Sequence, residues 1–155
     1  MTFLRTALFL LTATAALAED APLATLTATS GSLPPPHAWS VAITIGANGL
    51  VTAQRCKGYE TEGPACKTAT ATATPEALEA IRKAAKASGL ATHPAKPLDP
   101  PMVGGGTIRG TVLLDGQTIE MIPQPVPEDA ERVNTLIDIV GAAVPRELDA
   151  LLSGE

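Results

Sequence analysis

Residues 74–90 read TPEALEAIRKAAKASGL, and their reading decides the fold. Thr74 suits the cap position that accepts from the free N–H groups of a first helical turn. Pro75 fits where no donor is needed, and Glu76 complements the positive helix end. Gly89 supplies a left-handed stop, after which Leu90 can fold back onto Ala85. Leu78, Ile81, Ala84 and Ala85 recur at three- and four-residue spacing and form one apolar face. Glu79, Arg82, Lys83 and Lys86 line the other, with Glu79 four residues before Lys83. Strand-like segments lie on both sides of this helix in sequence, so it reads as the cover on their sheet.

Working outward, Trp39, Val41, Ile43 and Ile45 alternate with Ser40, Ala42 and Thr44, the pattern of a strand with one buried face. Asn48-Gly49 predicts a hairpin, residues 50–56 return, and residues 66–73 alternate Thr with Ala. After the helix, residues 107–114, the turn Asp115-Gly116 and residues 117–122 make a second hairpin. Its register sets Val112 opposite Ile119 and Gly110 opposite Met121. Pro127-Glu128-Asp129 opens a second helix with Val133, Leu136, Ile137, Val140 and Ala143/Val144 as its stripe, and Pro145 ends it. Leu148, Leu151 and Leu152 mark a final turn or two. Strands, helix, hairpin and helix in that order predict an α+β domain: an antiparallel sheet of about five strands with two helices packed on one face.

The N-terminus speaks for compartment. Residues 1–18 carry Arg5, an apolar run from Ala7 to Leu17 and the small-residue ending Ala16-Leu17-Ala18, which predicts a secretory signal peptide cleaved before Glu19. The apolar run is short for a membrane anchor and contains Thr12 and Thr14. Residues 19–37 read as a leader in which Leu23 to Thr29 is a candidate edge strand, broken by Ser30-Gly31-Ser32 and stiffened by Pro34-Pro35-Pro36. The single domain then spans 38–152. Phe3, Phe9 and Arg5 leave with the signal, so the mature chain keeps only Trp39 and Tyr59 as aromatics, with 10 basic residues against 16 acidic ones. Such an acidic, aromatic-poor chain offers neither the basic stripe nor the stacking platform that nucleic acids need. No later stretch is apolar enough to span a bilayer. The predicted location is periplasmic or secreted.

The run from Trp39 through Asn48-Gly49 to Cys56, then TPEALEAIRKAAKASGL, then GTVLLDGQTIEMI and a closing helix, resembles a family of bacterial exported domains of unknown function. Members carry a strand, a DG-type turn, a returning strand, a helix of the form xPEQLxxLxxLxxxAGF and a second hairpin. Many have a CxGxCP lead-in where this chain has SLPPPHAW. The resemblance implies the hairpin–helix–hairpin–helix fold and the exported setting, and it implies no activity.

Cys56 and Cys66 enclose KGYETEGPA, and an even pair at this spacing in an oxidising compartment predicts a disulfide. Cys-x-x-Cys redox spacing is absent, and neither histidine is near enough in sequence for a metal site. His37 adjoins the triple proline, while His93 shares a loop with Asp99. Neither pair spacing supports a metal site, and lone loop histidines are usually solvated. Gly104-Gly105-Gly106 precedes a strand and lacks the lysine of a phosphate cradle. The residues therefore predict no cofactor and no catalytic group. Two surfaces stand out for a protein or envelope partner: the disulfide-tied loop with Tyr59, and the long loop 91–106 with His93, Met102 and Val103. The leading expectation is a non-catalytic exported binding module. An extracellular protease inhibitor presenting the tied loop is the alternative, and a hydrolase or metal enzyme using His93 and Asp99 comes third.

Overall fold

The computed structural model describes residues 21–154. The signal peptide expected over residues 1–18 lies outside them. Six strands form one antiparallel sheet: β1 (Ala24–Thr29), β2 (Trp39–Ile45), β3 (Leu50–Lys57), β4 (Cys66–Thr72), β5 (Thr107–Leu114) and β6 (Gln117–Met121). Helix α1 (Pro75–Ser88) follows β4, and α2 (Pro127–Ala142) follows β6. A 3-10 turn (Arg146–Leu148) leads into a short third helix, α3 (Asp149–Ser153). The fold is α+β as the pattern implies, with one strand and one short helix beyond the expected count.

The spatial order is β4-β3-β2-β1-β5-β6. This corrects the reading of residues 23–29: β1 is an interior strand, bonded along its whole length to β2 on one side and β5 on the other. Its Ala24 and Leu26 are buried, as an interior strand requires. The part of the leader before Ser30 therefore belongs to the domain's sheet.

Both ends of α1 form as their residues dictate. Thr74 Oγ1 accepts from the Ala77 N–H at 3.2 Å, and Gly89 stops the helix at φ +66°. Leu78, Ile81 and Ala85 are its buried residues, and Leu90 is buried beyond the stop. Helix α2 packs beside α1 and buries Val133, Leu136 and Val140. Together with Ile45, Val51, Val112, Ile119, Met121 and Leu148 these side chains make a core that is aliphatic throughout. At the β5–β6 turn both Asp115 (φ 51°) and Gly116 (φ 78°) are left-handed, the two-residue type that the sequence implies. The β2–β3 turn differs from its expected form. Gly46 N–H reaches Leu50 O at 2.8 Å, Gly49 alone is left-handed, and Asn48 Oδ1 accepts from the Leu50 N–H. A three-residue connection of that kind lets an ordinary turn end in one left-handed glycine.

Among the described residues, no helix covers the second face of the sheet. Thr25, Thr27, Thr44, Thr52, Thr68, Thr70 and Thr111 alternate there with the core-facing residues of their strands. No helix among the described residues is long and apolar enough to cross a membrane.

Candidate functional site

Strand register gathers three connections at one end of the sheet. Thr29 pairs with Ser40 and with Thr107, and Trp39 pairs with Lys57, so loops 30–38, 58–65 and 99–106 all leave from the same side. Sequence distance hides this, because the interior position of β1 brings the first and third loops together. The backbones of Gly31 and Gly105 meet so closely that a β-carbon on Gly31 would overlap the Gly105 carbonyl. Gly31 is also left-handed, at φ +72°.

The first loop is fixed at both ends. Ser30 N–H donates to Trp39 O at 3.0 Å, and Ser30 Oγ accepts from Trp39 N–H at 3.0 Å. Pro34 O accepts from the N–H groups of both His37 and Ala38, which folds the prolines into a turn. Gly58 N–H then donates to Ala38 O at 2.8 Å, joining the first loop to the disulfide-tied one. Cys56 and Cys66 are bonded, as the spacing implies, and lie directly opposite each other on β3 and β4. Tyr59 projects from the tied loop with 62% of its surface exposed, while its hydroxyl donates to Leu33 O. The tyrosine is thus anchored at its polar tip and open along its ring. Inside the same end, the Arg55 guanidinium lies 4.9 Å from the Trp39 ring centroid and donates to Leu152 O, which ties α3 down.

Loop 91–106 has a definite course, set by side chains of α2 and of the residues before it. Arg132 donates to His93 O at 2.7 Å and to Asp129 Oδ1 at 2.8 Å. The other Asp129 oxygen accepts the Lys96 N–H at 2.8 Å. That backbone N–H, with Arg132 beside it, holds the Asp129 carboxyl below the usual carboxylate range. Pro97 and Pro125 form an isolated bridge, and the Gln124 carboxamide bonds both the N–H and the C=O of Met102, as a neighbouring strand would. Beyond this clamp Met102 is 67% exposed and Val103 93%.

His93 is exposed on this loop, its Nδ1 3.0 Å from Thr92 Oγ1, and Asp99 is exposed farther along. Among the described residues no group of three or more His, Cys, Asp or Glu could hold a metal ion. Of the residues singled out from sequence, the structure sets Tyr59, Met102 and Val103 on the converging loops, and His93 on the β6 flank near the Arg132 clamp. Leu33 and Ile108 join the same end, 43% and 49% exposed, and sequence reasoning missed both. Leu33 lies in a loop, and Ile108 is in phase with core-facing Gly110 and Val112 on β5, so alternation alone would have placed Ile108 in the core. No protein-family model matches this chain, and no curated protein is significantly similar to it.

Proposed function

We propose that this protein is a non-catalytic, exported module that binds a protein or envelope partner through the loop end of its sheet. One observation carries this reading. Leu33, Tyr59, Met102, Val103 and Ile108, five of the six large apolar side chains exposed among the described residues, lie at that end; Leu50 alone lies at the other. Apolar side chains scattered singly need no explanation, whereas a concentration at one end is the mark of an interaction surface. The backbone bonds and the disulfide fix this end before any partner arrives, so less ordering entropy opposes binding. The disulfide also suits an oxidising compartment, in keeping with the signal-like N-terminus. The likeness to exported domains of unknown function agrees with that setting.

A protease inhibitor would offer residues 57–65 in extended form. Turns and bends occupy residues 58–59 and 61–65, and Tyr59 is bonded back to Leu33, so this alternative gains no support. Photo-reactive residues placed at Tyr59, Val103, Leu50 and Glu79 test the proposal in the native envelope. Adducts from the first two positions and none from the last two are expected, with Tyr59→Ala abolishing capture at Val103 while leaving the melting temperature near wild type. Equal labelling from all four positions would refute the assignment of the site.

A further inference from the structure

The two edges of the sheet are finished differently. Beyond β6 the chain runs Ile122-Pro123-Gln124-Pro125, and the segment 91–102 lies against that flank through the Gln117 side chain on Ala91 O, the Pro97–Pro125 bridge and the Gln124 clamp. At the opposite edge β4 runs CKTATAT for seven residues with no proline, and no strand among the described residues pairs with its outer side. Such an edge is a template for another strand unless something blunts it.

Register shows what β4 presents. Lys57 N–H donates to Ala65 O and Ala73 N–H to Gly49 O, so the odd-numbered residues of β4 bond inward to β3. Thr68, Thr70 and Thr72 therefore turn their N–H and C=O groups outward, with their side chains on the helix-free face. The disulfide fastens one end of this strand to β3, which keeps the template straight. From these observations we infer that β4 is a self-association edge, pairing antiparallel with β4 of a second copy to make one continuous twelve-stranded sheet.

The choice of a second copy rests on self-complementarity. Centring the pair on Thr70 sets Thr70 opposite Thr70 and Thr68 opposite Thr72 on either side. All three are hydrogen-bonded pairs, and the same sheet already uses threonine in such pairs: Thr25 with Thr111 (Oγ1–Oγ1 2.8 Å) and Thr29 with Thr107 (3.1 Å). On the helix side Ala69 meets Ala71, and Lys67 meets Ala73, so no like charges are set face to face. An interface of one short strand per copy is small, and its dimer is concentration-dependent rather than obligate. The antiparallel arrangement points the two loop ends in opposite directions, leaving both free.

Sedimentation over a micromolar-to-millimolar series, with the disulfide intact, is the first test, and a monomer–dimer equilibrium is expected. Thr70→Lys places two ammonium groups against each other at the two-fold axis and should weaken association about tenfold or more without lowering the monomer's melting temperature. Thr70→Cys brings two thiols to a Cα separation of about 5.5 Å, within disulfide range. Under mild oxidation it should give a covalent dimer, while Thr44→Cys, exposed on an interior strand of the same face, should not. A monomer across the whole series overturns the inference, as does a dimer indifferent to Thr70→Lys or equal cross-linking from Thr70→Cys and Thr44→Cys.

Discussion

Gly110→Ala adds one methyl group to the middle of β5, and the structure indicates that the sheet cannot absorb it. Gly110 lies between Leu26 of β1 and Met121 of β6. A β-carbon there would overlap the carbonyl oxygen of Thr25 and sit 2.9 Å from both Leu26 Cδ2 and Met121 Cε. The two side chains can rotate, but the carbonyl belongs to an interior strand bonded on both sides, so β1 and β5 must separate. Overpacking of a close-packed core costs about 1–3 kcal/mol, and a backbone obstacle belongs at the upper end, about 3 kcal/mol. For a domain of this size that corresponds to a drop of about 10 °C in Tm. Thermal melts followed by far-UV circular dichroism measure it, with Gly105→Ala as control, since a β-carbon there meets nothing within 4 Å. The control should stay within about 0.5 kcal/mol of wild type. A Gly110→Ala protein melting with the control would show that the glycine is not required by the β1–β5 contact.

The remaining tests address the helix layer, the disulfide and the loop clamp. Ile81→Asp should unfold the domain, because Ile81 is fully buried and an unpaired carboxylate there is heavily penalised, whereas exposed Lys83→Asp should stay within about 0.5 kcal/mol by chemical denaturation. Alkylation with and without reductant should find two reactive cysteines only after reduction; reduction should then lower Tm by the equivalent of about 3 kcal/mol at most while far-UV signal persists below the transition. Asp129 has a folded-state pKa below its unfolded one, so its stabilisation is complete above about pH 4 and disappears as pH falls through the lowered value. Acid unfolding of Asp129→Asn should accordingly be less steep than wild type over that range, and an identical acid limb would remove Asp129 as a contributor.

What was legible in the sequence was local. Thr74, Gly89 and the Leu78/Ile81/Ala85 spacing specify α1 within its own residues, and Asp115-Gly116 specifies a hairpin and its register. The place of β1 was not legible, because it depends on pairing across 86 residues, as between Thr25 and Thr111. Thr/Ala alternation with few large apolar residues looks like an edge. Here small side chains suffice, since neighbouring strands supply Val41, Ile43 and Val112 to the same layer. The site was half legible for the same reason. Tyr59 and the Met102-Val103 tip stand out by composition, but their convergence with Leu33 follows from the strand order. The Arg132 and Gln124 clamps use backbone N–H and C=O groups, which nearly every residue has and no sequence pattern marks.

The interior position of β1 also governs how the chain can reach its fold. During synthesis β1, β2, β3, β4 and α1 emerge first, and their neighbours lie close in sequence. They form a partial sheet whose one side is β1 itself, with its bonding groups toward β5 unpaired. Only when residues through Leu114 have appeared can that side close. The closure spans most of the domain and must be made before its contacts return any stabilisation. Chains dominated by such distant pairings fold slowly for their size. The first strand of the domain therefore stays half-paired until the fifth arrives, and that interval is when the nascent chain is most exposed to mispairing.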